Sequence, residues 1–188
     1  MAIVLALIGL ALLIGLVTVI AWHNRFVRLR QHMRESWSDI DVELKRRYDL
    51  IPNLVTTVKG YAAHEREVLE QVVALRNRAA DSTGPADTQA RDESALMLGL
   101  KRLFVVVEAY PELKADAHFL ALQEELALTE DRIAAARRFY NGNVRHYRQL
   151  QEMFPTSLVA RVFGFSGGEY FELAGDAERV VPRVALHD

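Results

Sequence analysis

The residues of this chain best suited to metal chemistry are its six histidines, at positions 23, 32, 64, 118, 146 and 187. HEREV, residues 64–68, opens like the zinc motif H-E-x-x-H, which places two imidazoles on one helical face with a glutamate beside them as general base. Val68 occupies the second histidine position, so the pattern is incomplete. No Glu-x-x-His pair is present, which removes the ligand spacing of a di-iron bundle. The chain has no cysteine, which excludes thiol catalysis, disulfides and thiolate-bound metal. It also lacks a phosphate-cradling glycine loop and a G-x-S-x-G elbow. Glu124–Glu125 and the trio Asp39, Asp41 and Glu43 read as solvated helix faces. On these grounds no catalytic residue, cofactor or metal ligand is assigned.

FYNGNVRHY, residues 139–147, is the remaining place where polar chemistry falls on an apolar pattern. Asn143 occupies a heptad core position. A buried amide there can set helix register at some cost in stability. Gly142 beside it lowers helix propensity by up to about 1 kcal/mol relative to alanine. A pocket lined by Tyr140, Asn143 and Tyr147 is the sharper reading, and polar core packing is the plainer one.

The elements that would position these residues are helical throughout. Glycine and proline are scarce among the 188 residues, and the formal net charge of −2 gives no footprint for nucleic acid. Residues 2–22 carry no charge, and about 20 apolar residues cross a hydrocarbon core of roughly 30 Å. A cleaved signal peptide would have a basic leader and a shorter apolar core. Trp22 stands where an interfacial aromatic belongs. Arg25, Arg28, Arg30 and Arg34 follow, with no acid before Glu35, so the positive-inside rule puts the N-terminus outside and the remainder in the cytoplasm. These four arginines are also candidates for facing anionic lipid, at about 1 kcal/mol each.

Apolar residues then recur at helical spacing from Phe26 to Ala62, and the stripe crosses Pro52 without changing phase. Pro52 therefore bends one long helix, with Asn53 or a water meeting the carbonyl it frees. The alternative starts a new helix capped by Asp49, with Pro52 in its first turn. The helix is expected to run on to about Ala80 and to stop at DSTGPAD, residues 81–87. A second helix reaches about Tyr110. A third runs from about Ala115 to Phe154, with Phe119, Leu126, Ile133, Tyr140, Tyr147 and Phe154 spaced by sevens, the signature of left-handed helix packing. A short helix capped by Thr156 or Ser157 and an extended VVPRVAL complete the chain.

This order has a consequence for surfaces. A first helix from Phe26 to Ala80 would extend about 80 Å, and a second of about 25 residues would return only about 38 Å. The membrane-proximal stripe of Phe26, Leu29, Met33, Trp37, Ile40, Leu44 and Tyr48 would then lie bare, a self-association surface for a second copy. Ala11-x-x-x-Gly15 in the span is a weak packing motif of the same kind.

RESWSDIDVELKRRYDLIPNLVTTVKGYAAHEREVLEQV, YPELKADAHFLALQEELALTEDRIAAARRFYNGNVRHY and FPTSLVARVFGF together resemble the LemA family, from the membrane span to about Phe171. Where the family's Tyr–Asn pair recurs, this chain has Tyr147-Arg148. The resemblance implies an all-α fold in which an N-terminal transmembrane helix continues into an antiparallel, up-and-down four-helix-type bundle with long helices. Its segments would be residues 2–22 as the span, 23–51 as a juxtamembrane stalk, 52–165 as the bundle and 166–188 as a tail. It also implies a single-pass protein of the bacterial cytoplasmic membrane with no established catalytic activity. Members are similar to scaffolds that accompany other membrane proteins, zinc metalloproteases among them, and one relative takes part in building magnetosome membranes. The expected function is a non-enzymatic, self-associating scaffold or adaptor in the membrane. The alternatives are a ligand sensor or enzyme using the core near Asn143, and a membrane-remodelling protein.

Overall fold

A computed structural model describes residues 1–173; residues 174–188, including the expected extended VVPRVAL, lie outside the described residues. The described chain is helical, without strands: α1 (Ala2–Tyr61), α2 (Arg66–Ala80), α3 (Ala86–Val107), α4 (Pro111–Lys114), α5 (Ala117–Glu152) and α6 (Thr156–Val162). Two compact units form. The first joins Met1–Trp37 to Phe139–Gly168, and the second joins Ser38–Arg138 to residues 169–173. Helices α1 and α5 each contribute to both.

The opening third of α1 is long and apolar enough to cross a membrane, and none of that stretch is buried by the protein. The helix then runs on without a break into the residues that pack, so no flexible link separates the span from the rest of α1.

Pro52 lies inside α1, so one helix continues through it and no new helix starts at a cap on Asp49. The missing N–H at Pro52 strands the carbonyl of Tyr48, four residues earlier. That oxygen accepts from Arg76 Nε on α2 at 3.0 Å. The compensation thus comes from a neighbouring helix and not from Asn53, whose own carbonyl accepts from Thr57 Oγ1 at 3.0 Å. The two positions should therefore be coupled. Arg76→Ala is expected to destabilise the protein by about 1 kcal/mol when Pro52 is present, and by clearly less beside Pro52→Ala, whose restored N–H supplies the missing donor. A double-mutant cycle from thermal melts of the detergent-solubilised protein measures this, and equal effects in both backgrounds would contradict the coupling.

The expectation of one helix from Phe26 to Ala80 does not hold. The chain turns at residues 62–65, and α2 doubles back so that Tyr48 Oη lies 3.3 Å from the Ala79 carbonyl. The local cause is modest. Gly60 and the basic Lys59 fall in the last turn of α1, and the acidic Glu67 falls in the first turn of α2, where each charge suits the helix dipole. The neighbouring pairs also run antiparallel: Arg78 meets Asp92 and Gln71 meets Arg102 between α2 and α3, and Phe104 meets Phe119 between α3 and α5. Asp116 begins α5, accepting from Phe119 N at 2.8 Å, and this bond holds its carboxyl below the usual carboxylate range. Tyr61 at the end of α1 donates to the same carboxylate at 3.0 Å. Four helices, α1, α2, α3 and α5, thereby enclose the core of the second unit.

In the first unit α5 again runs antiparallel to α1. Phe26 meets Tyr147 edge-on and stacks on Phe165 at 4.7 Å, while Trp37 meets Tyr140 at 5.1 Å. Leu150, Val159 and Ala160 complete this core, with Trp22, Leu29 and Met33 packed at its margin. The last expected heptad position, Phe154, instead lies past the end of α5 and is 80% exposed. Thr156 Oγ1 donates to the Leu150 and Met153 carbonyls at 2.6 and 2.8 Å, fixing α6 against the end of α5. Gly164, at φ +67°, ends α6 with the left-handed turn that a side chain would resist, and this returns Phe165 to the core.

Candidate functional site

The densest ionisable cluster belongs to the second unit. Arg47 on α1 is fully buried, as is Glu93 on α3, and the two form an ion pair through Arg47 Nη2. Arg47 Nη1 reaches Glu130 on α5 at 2.9 and 3.1 Å, and Met97 Sδ at 3.0 Å. The phenol of Tyr48 donates to the other oxygen of Glu93. One guanidinium thus ties three helices, and both Glu93 oxygens have partners. Arg47 Nε is buried without a partner, but Nη1 and Nη2 are both engaged, and removing one member of such a buried pair strands the other charge. Arg47 and Glu93 are closed to solvent, while Glu130 is partly exposed.

All three charged residues lie in phase with the apolar stripes. Arg47 falls between Leu44 and Ile51, Glu93 precedes Leu96, and Glu130 falls between Leu126 and Ile133 at spacings of three and four. A charged residue on the core-facing line was the available signal, and sequence reasoning passed over it.

Burial pushes the Tyr48 phenol from 10.0 up to about 12. The folded protein keeps a proton that the unfolded chain releases above 10.0, so this contribution to stability is complete below that pH and is lost as pH rises towards about 12. In an absorbance titration the Tyr48 phenol should ionise only together with alkaline unfolding, while exposed Tyr61, raised by its hydrogen bond to Asp116, should ionise without it. Tyr48→Phe should remove that coupled component. Ionisation coupled to unfolding that survives the substitution would assign it to another tyrosine.

In the first unit the sequence-predicted polar residues pair helices with one another. Asn143 Nδ2 donates to Ser36 Oγ at 3.1 Å, and Ser36 Oγ donates to the His32 carbonyl at 2.7 Å. Asn143 therefore joins α5 to α1 side by side with the Trp37–Tyr140 contact. Tyr147 Oη lies 3.4 Å from Arg30 Nη2 and donates to the Ser166 carbonyl at 3.3 Å. Tyr140, Asn143 and Tyr147 are thus engaged by α1 and by the loop after α6.

The stripe expected to lie bare is covered by its own chain. Phe26, Ile40, Leu44 and Tyr48 are buried, and Leu29, Met33 and Trp37 are half-buried. The turn at residues 62–65 adds one reversal, so α5 runs back along α1 and not away from its membrane end. These seven residues are committed to intrachain packing. Of the four arginines, Arg30 is turned inward, its guanidinium 4.9 Å above the Phe165 ring. Arg25 lies 5.3 Å from the Trp22 ring, and Arg25, Arg28 and Arg34 are exposed.

Among the described residues, no three His, Asp or Glu side chains converge in a way that would hold a metal ion. An open groove of about 580 Å³ lies between the end of α1 and α2, lined by Val55, Lys59, Arg66, Leu69 and Val73 among others.

Residues 36–186 match the model of the LemA family. The magnetosome protein MamQ of Magnetospirillum gryphiswaldense is 25% identical over 207 residues, covering 96% of this chain and 76% of its own length. A second such relative, magnetosome protein MamQ 2 of Paramagnetospirillum magneticum, is 26% identical over 194 residues, covering 89% of this chain and 71% of its own. Protein LemA of Metamycoplasma hominis is 27% identical over 161 residues, covering 84% and 71%. The matched region runs from Ser36, which Asn143 of α5 reaches, through all three members of the ion cluster, and the chain belongs to the LemA family.

Proposed function

We propose that the protein is a non-enzymatic scaffold of the bacterial cytoplasmic membrane, which self-associates and anchors a helical domain there to organise other membrane proteins. The observation that carries this reading is α1 itself, a single helix of 60 residues that is an exposed apolar span at one end and packed core at the other. The helix carries the chain from the bilayer directly into packed core, with no loop between the two. The closed ion cluster supports the non-enzymatic part of the reading, because its charges serve helix pairing and face no open cleft.

The arginines after Trp22 place the domain in the cytoplasm under the positive-inside rule. Contacts with other membrane proteins, further copies of this chain or a membrane protease included, then fall to surfaces outside the two cores: the span, the outer helix faces and the groove at Lys59 and Arg66. Crosslinking in native membranes, followed by extraction and mass spectrometry, tests the scaffold. A reproducible set of membrane proteins is expected, absent from an unrelated single-span control, and capture no richer than that control would defeat the reading. A tag after Asp188 should resist protease added to intact spheroplasts, and cleavage would reverse the orientation.

A further inference from the structure

Helix α6 is apolar on two faces. Val159 and Ala160 face the core with Phe26 and Phe165. Leu158 and Val162, four residues apart on another face, are 52% and 78% exposed, and Phe154 and Phe163 flank them at 80% and 48%. A helix apolar around most of its circumference normally has both sides covered. Here the protein covers one.

The position of α6 identifies the other cover. The Phe163 ring packs edge-on against His23 at 4.9 Å, and His23 immediately follows Trp22 at the end of the apolar span. Phe26, which α6 also packs on, lies only about 6 Å further along the helix axis. The exposed apolar face of α6 therefore lies within about one helical turn of the level where α1 leaves the hydrocarbon. Charge agrees with this placement. Residues 153–168 contain no acid, their one charged residue is Arg161, and Arg25 and Arg28 are exposed on the adjoining turn of α1. Aliphatic and aromatic side chains interleaved with arginine suit the zone between anionic headgroups and acyl chains.

We propose that α6 is a second membrane contact, an interfacial wedge that inserts Phe154, Leu158, Val162 and Phe163 beside the transmembrane helix. This rests on the reading of residues 2–22 as a span. Two attachments on one rigid unit would fix the tilt of α1 and its rotation about its axis, which a single span leaves free.

The absence of native cysteine makes a direct test available. Single cysteines at Leu158 and Val162 of the full chain, with controls at Leu12 in the span and Thr83 in an exposed loop, carry a small environment-sensitive fluorophore. The protein is reconstituted into mixed phosphatidylethanolamine–phosphatidylglycerol vesicles containing nitroxide lipids, with the nitroxide near the glycerol or at the chain end. Labels at 158 and 162 should be quenched by the shallow nitroxide more than by the deep one, and little by aqueous iodide. This pattern corresponds to insertion of about 5–10 Å. The Thr83 label should respond to iodide alone. Strong iodide quenching at 158 and 162 would overturn the wedge. Shielding of both positions from iodide and lipid would also overturn it, in favour of a protein partner or a second copy. A Leu12 label insensitive to the lipid nitroxides would instead defeat the span reading, and the wedge with it.

Discussion

Replacing Arg47 with methionine should destabilise the second unit by about 3–5 kcal/mol, because Glu93 would remain buried with its countercharge gone. For a chain of this size that corresponds to a fall in thermal midpoint of roughly 10 °C. The methionine is close in length to the stem of arginine, so lost packing is the smaller part of the effect. Glu130 is partly exposed and can turn to water, whereas Glu93 cannot. A second substitution separates the causes. Arg47→Met combined with Glu93→Gln should recover much of the loss, since a neutral amide still accepts from the Tyr48 phenol. Circular-dichroism melts of the detergent-solubilised full chain report both variants. An Arg47→Met protein that melts with the wild type would show that the cluster is not buried as described. A double variant as unstable as the single one would mean that geometry, and not the stranded charge, sets the cost.

Phe26→Ala should cost about 3–5 kcal/mol by emptying the centre of the first unit. Phe26 is fully buried, stacked on Phe165 and edge-on to Tyr147, so its removal loosens α1, α5 and the loop after α6 at once. The effect should be local. Hydrogen exchange in detergent should speed up in the amides of residues 139–152 and 156–162, with little change in those of residues 86–107. The same experiment decides what the apolar stripe does. A residue committed to intrachain packing destabilises its own chain when truncated, at any protein concentration. A residue buried only between copies would leave exchange in the monomer unchanged and weaken self-association instead, and that outcome would restore the bare-stripe expectation.

Most of the helices were legible because hydrophobic periodicity is a local property. The heptad line of α5 from Phe119 to Tyr147 is buried as its spacing implies, and the unbroken phase across Pro52 correctly indicated one helix there. The apolar run at residues 2–22 and the short α6 after Pro155 were equally plain. The match to the family pattern was legible in long motifs that span most of the chain.

The turn at residues 62–65 was not legible with the same ease. Gly60, Lys59 and Glu67 are weak signals, and Ala62-Ala63-His64-Glu65 contains no strong helix breaker. Missing one reversal carries a disproportionate penalty, because it inverts the direction of every later helix. That single error turned α5 away from the membrane end of α1 and made a core look like a surface. Whether an apolar stripe faces solvent, a partner or its own chain depends on which helix returns along it.

The ion cluster divides in the same way. The sequence by itself determined that Arg47, Glu93 and Glu130 sit on core-facing lines, since helical phase is set within a few residues. Only the tertiary structure decided that these three lines meet, that Tyr48 completes the site, and that Arg76 supplies the donor Pro52 removed. Their separations along the chain, 46 residues from Arg47 to Glu93 and 83 to Glu130, carry no local signal. The side chains come together because antiparallel packing sets the register between helices, and burial then makes each charge hold to the partner that packing provides.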